Sequence, residues 1–231
     1  MTSYAKIDKW RAVDGTAYNN VVQVVQAVLT NGDATASFSG GQPAIDYSVN
    51  QYSYAYGFTN ATTYETMTGA LSPSGWWVVP DFCAKITPKF PSSKILVMLD
   101  LIYGTSYWEA QGRIMRNGVA IGLGDQRGDR TPVTFADNNY EYAPSAQYSQ
   151  YSTYKASVCL LDDPFGYETG TGTGSMITGG PAVFGTTLDY YVELNHHASQ
   201  SLSINRPYYN NSDSSYYAEP ISTLTLMEVT A

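Results

Sequence analysis

With 231 residues, a formal net charge of −8 and charged side chains at only 14%, the chain is long enough to bury a real core. It is too acidic for nucleic-acid binding, which needs clustered Lys and Arg against phosphate. No apolar run approaches the ~20 residues that span a bilayer, and MTSYAKIDKW has no signal-peptide core, so no membrane partner is expected and synthesis in a cytoplasm is.

The first fifteen residues mix charge and aromatics without the period of a strand or a helix. They read as an N-terminal arm, 1–15, in which Trp10 flanked by Lys9 and Arg11 suits docking into a partner's groove. Residues 16–231 read as a single β domain. Val21 to Leu29 is ambiguous by itself: Tyr18, Val22, Val25 and Leu29 share a helical face, yet four valines in five positions favour a strand. The tyrosine-rich stretch around 31–58, with Gly40-Gly41 and Pro43, reads as a long loop or a hairpin inserted after that segment.

Strand signals then recur. Trp76 to Ile86 is interrupted by Pro80, and Ile95 to Ile102 is apolar at every position except Asp100, the pattern of a strand covered on both faces. Asn117-Gly118 between apolar runs predicts a two-residue type I′ turn. That turn opposes Arg116 to Val119, Met115 to Ala120 and Ile114 to Ile121. Strands are expected over 94–103, 110–116, 119–123, 154–161, 187–196 and 221–229, with shorter ones at Pro132 to Phe135 and Leu202 to Arg206. In 188–195 the alternation Leu188, Tyr190, Val192, Leu194 against Asp189, Tyr191, Glu193, Asn195 predicts one buried face and one facing solvent or a partner. Many strands, regular turn signals and no convincing helix indicate an all-β fold, a β-sandwich of jelly-roll type. Cys83 and Cys159 sit inside predicted strands and read as buried thiols of the core.

Catalytic and metal signals are weak. His196 and His197 are adjacent on a strand and point to opposite faces, and no G-x-S-x-G elbow accompanies them. The glycine runs at 122–124 and 170–174 lack the helix and the Lys-Ser/Thr of a phosphate loop. Asp125, Asp129, Asp162 and Asp163 offer oxygens to calcium but match no calcium-loop spacing, and Arg127-Gly128-Asp129 reads as a turn. Glu109, Asp137, Glu141, Glu168 and Glu193 are carboxylates with no spacing that pairs any two for sugar hydrolysis. The reading is of a non-enzyme without metal or cofactor.

Several short motifs in order resemble a module of tailed-bacteriophage virion proteins. They are Val21 to Ala27; Ile86-Thr87-Pro88 with Ser92 to Val97; Arg116-Asn117-Gly118 with Ile121-Gly122; Leu161-Asp162 before Pro164; Ile204-Asn205-Arg206; and Ser222 to Val229. The resemblance spans Thr16 to Ala231 and makes Val21 to Leu29 a strand. It implies a trimeric jelly-roll head in a tail fibre, spike or similar virion appendage, with no catalytic residues to carry over. Capsid decoration is the alternative within the virion. A carbohydrate-binding module or glycan-processing enzyme is the alternative from another class. The implied partners are other virion proteins through the arm, two further copies of the chain, and a glycan of the host surface.

Tyrosine numbers 21 and is concentrated outside the predicted strands. Tyr140, Tyr142 and Tyr148 lie in one long connection, and Tyr208, Tyr209, Tyr216 and Tyr217 in another, among Asn, Ser and Gln. Rings that are rigid and amphipathic, interspersed with adaptable hydrogen-bonding groups, form contact surfaces at low entropic cost. These seven tyrosines are the expected recognition surface.

Overall fold

A computed structural model describes residues 21–30, 35–39, 42–43, 76–105, 110–125, 127–128, 130–137, 153–166, 182–196, 201–207 and 220–229. Twelve strands run through them: β1 Val21–Leu29, β2 Thr35–Ser39, β3 Gln42–Pro43, β4 Trp77–Ile86, β5 Lys94–Thr105 and β6 Ala110–Arg116, then β7 Val119–Ile121, β8 Phe135–Asp137, β9 Tyr154–Asp162, β10 Leu188–His196, β11 Ser201–Ile204 and β12 Ser222–Val229. No helix occurs among the described residues. The strands form two antiparallel sheets. The first has the order β1-β12-β5-β11-β2-β3 with β9 on β5, and the second has the order β4-β10-β6-β7 with β8 on β6.

The central hairpin has the register read from the sequence, Ile114 opposite Ile121, Met115 opposite Ala120 and Arg116 opposite Val119. Asn117 and Gly118 have φ of 47° and 83°, the positive values that a type I′ turn demands at both positions. The Asn117 side chain does more than tolerate that conformation. Its Oδ1 accepts the Asp189 N–H at 2.7 Å while its own N–H donates to the Asp189 carbonyl, which ties the turn to β10. β4 bends at Pro80, which has no N–H for a ladder, and Asp81 takes a φ of 54°. The register with β10 slips at that point, between Tyr191 and Glu193. β4 is an edge strand, where such a bulge is tolerated.

The core fills the space between the sheets with Ile95, Val97, Leu99, Leu101, Leu224 and Leu226 from one side and Phe82, Ile114, Leu188, Tyr190, Val192 and Leu194 from the other. Two expectations about faces are reversed. β5 is not covered on both faces: Leu96, Met98, Asp100 and Ile102 alternate with the core residues and remain half-exposed. β10 is covered on both: Asp189, Tyr191 and Glu193, expected to face solvent or a partner, are buried, Glu193 completely. The polar alternation stays because its charges are neutralised locally. Arg113 donates to Glu193 Oε2 through Nε at 2.7 Å and Nη2 at 2.6 Å, and Lys85 lies 3.2 Å from Asp189.

Three element ends also move. The strand expected over 119–123 stops at Ile121 because Gly122 turns away with φ of 62°, and the one expected at Pro132 to Phe135 lies at Phe135–Asp137. The strand expected at Leu202 to Arg206 ends at Ile204, since Asn205 turns with φ of 57°. Both thiols are free, and Cys159 corrects the reading of two core cysteines: it is exposed on the outer side of β9. Cys83 is half-buried on the outer side of the second sheet beside Val78, Met115, Ala120 and Tyr191. Within the stretch around 31–58 read as a long loop or an inserted hairpin, β2 pairs β3 at Phe38–Pro43, and the tyrosines of the stretch lie outside the described residues.

Candidate functional site

All the residues singled out for contact, Lys9, Trp10 and Arg11 in the arm and Tyr140, Tyr142, Tyr148, Tyr208, Tyr209, Tyr216 and Tyr217 in the connections, lie outside the described residues. The strands fix where those segments leave and return. β5 runs from the Lys94 end, where it pairs Val229, to the Thr105 end, where it pairs Leu202. The turn from β4 closes at the Lys94 end, and the connection to β6 lies at the Thr105 end. Every other strand can be assigned to these two ends by its register.

Residues 44–75 leave from Pro43 in the β2–β3 hairpin, which β11 carries beside the Thr105 end, and return at Trp77, opposite Leu194 near the finish of β10. Residues 138–152 leave from Asp137, opposite Ala110, and return at Tyr154, opposite Tyr103. Residues 208–219 leave after the turn at Asn205 and return before Ser222. All three tyrosine-bearing connections are therefore anchored at the Thr105 end. Val21 is opposite Val229 at the other end, so the chain enters the first sheet at the opposite pole.

Specific side chains hold the anchors at the Thr105 end. Asn205 Nδ2 donates to the Leu29 carbonyl at 2.7 Å, its N–H donates to the Ile102 carbonyl, and its Oδ1 accepts Ser222 Oγ at 2.6 Å. Ser222 Oγ in turn accepts the Ile102 N–H at 2.9 Å, so one fully buried Asn–Ser pair fastens β1, β5, β11 and β12. Tyr103 and Tyr154 stack with centroids 5.9 Å apart where β9 begins. The Arg113 guanidinium, already on Glu193, lies 4.3 Å from the Trp76 ring centroid at the return of the 44–75 connection. Sequence reading passed over all of these. The signal that was available is Ile204-Asn205-Arg206, in which Asn205 follows directly on β11 and is of the type that tolerates positive φ.

The arm end is built differently. Glu228, fully buried, accepts the Lys89 N–H and Ser93 Oγ through Oε1, each at 2.6 Å, and Gln23 Nε2 through Oε2 at 2.7 Å. It thereby clamps the 87–93 turn, and Thr87 Oγ1 meets Thr187 Oγ1 at 2.8 Å. Phe90, Leu161, Val183 and Phe184, four large apolar side chains left exposed, gather at this end. Phe165 packs edge-on against Phe184 at 5.7 Å. Beneath them Arg116 Nη1 donates to both Asp162 oxygens at 2.6 and 2.8 Å, and Tyr190 Oη donates to Asp162 Oδ2 at 2.6 Å. This buried triad bridges the two sheets. Burial, with the Asp162 charge added, holds the Tyr190 hydroxyl well above its ordinary value, so it stays a donor.

The chemistry weighed from sequence finds little geometry. Among the described residues no group of three or more His, Cys, Asp or Glu is arranged to hold a metal. Asp162 is committed to Arg116 and Tyr190, Asp163 takes the Gly166 N–H and Lys94, and Asp129 lies outside the described residues. At 127–130 the Arg130 N–H donates to the Arg127 carbonyl with Gly128 at φ of 57°, a turn as expected. Of the five carboxylates weighed for sugar hydrolysis, Glu109, Glu141 and Glu168 lie outside the described residues, and Glu193 is engaged by Arg113. His196 closes β10, and His197 lies outside the described residues.

One concavity lies on the outer face of the first sheet, a shallow hollow of about 350 Å³ lined by Met98, Asp100, Ser157, Cys159, Thr223 and Thr225. Asp100 accepts Ser157 Oγ at 2.6 Å and pairs Lys155 at 3.0 Å, and these two partners hold its carboxyl below the usual range. No protein-family model matches the chain, and no curated protein matches it significantly in sequence.

Proposed function

We propose that the chain is a structural subunit of a tailed-bacteriophage virion, the jelly-roll head of a trimeric fibre, spike or similar appendage that attaches to the particle by its arm and makes outward contacts with its opposite end. The observation that carries this reading is the polarity of the sandwich. The arm leaves at the Val21–Val229 pole, while every tyrosine-rich connection is anchored at the Thr105 pole. An appendage needs that separation, because one end must be held while the other stays free to touch.

The strand order supports the jelly-roll part of the reading. Four strands in the order β1-β12-β5-β9 face four in the order β4-β10-β6-β7, and along the chain these eight cross from one sheet to the other at every step except the β6–β7 hairpin. The apolar cluster of Phe90, Val183 and Phe184 at the arm pole suits a surface that is covered on assembly. The loops opposite combine Tyr with Asn, Ser and Gln, the chemistry of adaptable recognition of polar surfaces such as glycans. No catalysis is part of this reading.

Changing Tyr208, Tyr209, Tyr216 and Tyr217 together to Ser tests it, with melting temperature and oligomeric state measured first. Particles carrying the variant are expected to assemble and to lose adsorption to host cells. Normal adsorption would remove this loop from the recognition surface. Failed assembly would show that the loop binds the particle and would turn the reading towards capsid decoration.

A further inference from the structure

We propose that the outer face of the β1-β12-β5-β9 sheet, centred on Met98 and Thr225, is the seam along which copies of this chain meet, turned towards their common axis. The inference rests on the trimeric reading above and adds the face that makes the contact.

The two sheets are treated unequally. The second sheet is buried along the middle of its outer side within the single chain, at Val78, Met115, Tyr191 and Glu193. The first sheet leaves comparable residues half-exposed on its outer side. There Val24, Leu96, Met98 and Met227 are in reach of water, and Leu161 is 51% exposed. Cross-strand register sets these side chains in rows, Val24 beside Met227 and Leu96, then Gln26 beside Thr225, Met98 and Cys159. An apolar, hydroxyl-bearing face of this kind is costly to leave in water.

Charge argues that the occupant is a second copy. A chain of net charge −8 repels its own kind, so copies can approach only where the field is locally cancelled. On this face the charged groups come in opposite pairs, Asp100 with Lys155 and Lys94 with Asp163, and the remaining positions are apolar, hydroxyl, thiol or amide. Four strands ~4.8 Å apart and about eight residues long present roughly 500 Å² each. Three such faces turned to one axis would remove about 1,500 Å² in all, shared among the three pairwise contacts of the trimer. The hollow beside Met98, lined by small side chains, gives the neighbours' side chains somewhere to seat.

The face carries its own reporter. Cys159 is exposed and lines the hollow, whereas burial pushes the Cys83 thiol up to about 12 and keeps it silent. The experiment is maleimide labelling of the native full-length chain, followed by mass spectrometry across a dilution series, with light scattering at each concentration. The expected result is a trimer in which Cys159 labels at least about tenfold more slowly than in the dissociated chain, since only an accessible thiolate reacts. Met98→Lys is expected to be monomeric, to melt cooperatively and to label fast. A trimer whose Cys159 labels as fast as the dissociated chain would overturn the seam and leave the trimeric reading standing. A chain that is monomeric at every concentration would overturn both. Slow labelling in the monomer would mean that the chain covers this face itself, and would also overturn the proposal. If Met98→Lys fails to fold, the dilution series on the native chain decides alone.

Discussion

Asn117 and Gly118 take positive φ, and the price of that conformation sets a measurable cost for any bulkier residue. A β-branched side chain at Gly118, with φ of 83°, should destabilise by about 1–2 kcal/mol. For a chain of this size each kcal/mol is a fall in melting temperature of roughly 2–4 °C. Gly118→Val with an unchanged melt would mean that the turn is not of this type. The Arg116–Asp162–Tyr190 triad offers a larger effect. Arg116→Met leaves a buried carboxylate without its cation and should cost about 3–5 kcal/mol, whereas Arg116→Met with Asp162→Leu should recover much of the loss. Equal melts for the single and double variants would contradict a buried pair.

Protonation follows from the same burial. Burial holds the Tyr190 and Tyr103 hydroxyls above their ordinary 10.0, and the Cys83 thiol at about 12 against 9.0. Each group stays protonated in the folded chain at a pH where its unfolded counterpart ionises. Their stabilising contribution is therefore whole below about pH 9 and is lost as pH rises from there through the folded values. The melting temperature should fall steadily between about pH 9 and pH 11, and a level profile over that range would count against the burial of these groups.

At the scale of elements, the strands differ in how they are held. β8 is three residues long and depends on Phe135, whose ring lies over Gly112 where a Cβ would stand. Thr134 fastens its approach, with its hydroxyl accepting the Ile114 N–H at 3.0 Å and donating to the Ile121 carbonyl at 2.9 Å. Gly112→Ala should displace the Phe135 ring and free β8 while β6 and β10 stay paired. Hydrogen exchange should then rise at 134–137 with little change at 188–194, and equal protection in both variants would refute the role given to the glycine. Fast-exchanging short strands at an edge, over a protected central ladder, are what local stability predicts.

At the scale of the whole molecule, the chain enters the sheet at Val21 at one pole and the three tyrosine-bearing connections are anchored at the other, so the two contacts proposed for them are separable. Removing residues 1–15 should leave the melting temperature and hydrodynamic size per subunit nearly unchanged while abolishing incorporation into particles. Incorporation at the normal level would place the docking surface elsewhere, and the exposed Phe90, Val183 and Phe184 at the same pole would be the next residues to change.

What the sequence determined by itself is local. The period-two alternation of 154–161, the Asn-Gly turn and the register of its hairpin were readable because side-chain direction and turn geometry depend on neighbours along the chain. Its composition also marked the connections as the polar, tyrosine-bearing parts. Which face of a strand is covered was decided only by tertiary structure. β5 and β10 exchange the roles that their patterns suggested, because an apolar alternate can be left at a surface and a charged one can be buried once Arg113 or Lys85 stands beside it. Cys159 is exposed for the same reason: its strand, not its residue type, chose the side. The clamps by Asn205 and Glu228 join residues more than a hundred positions apart, and no local pattern encodes such a pairing. The common pole of the three tyrosine-bearing connections was likewise beyond the sequence, since it follows from strand order and direction in both sheets.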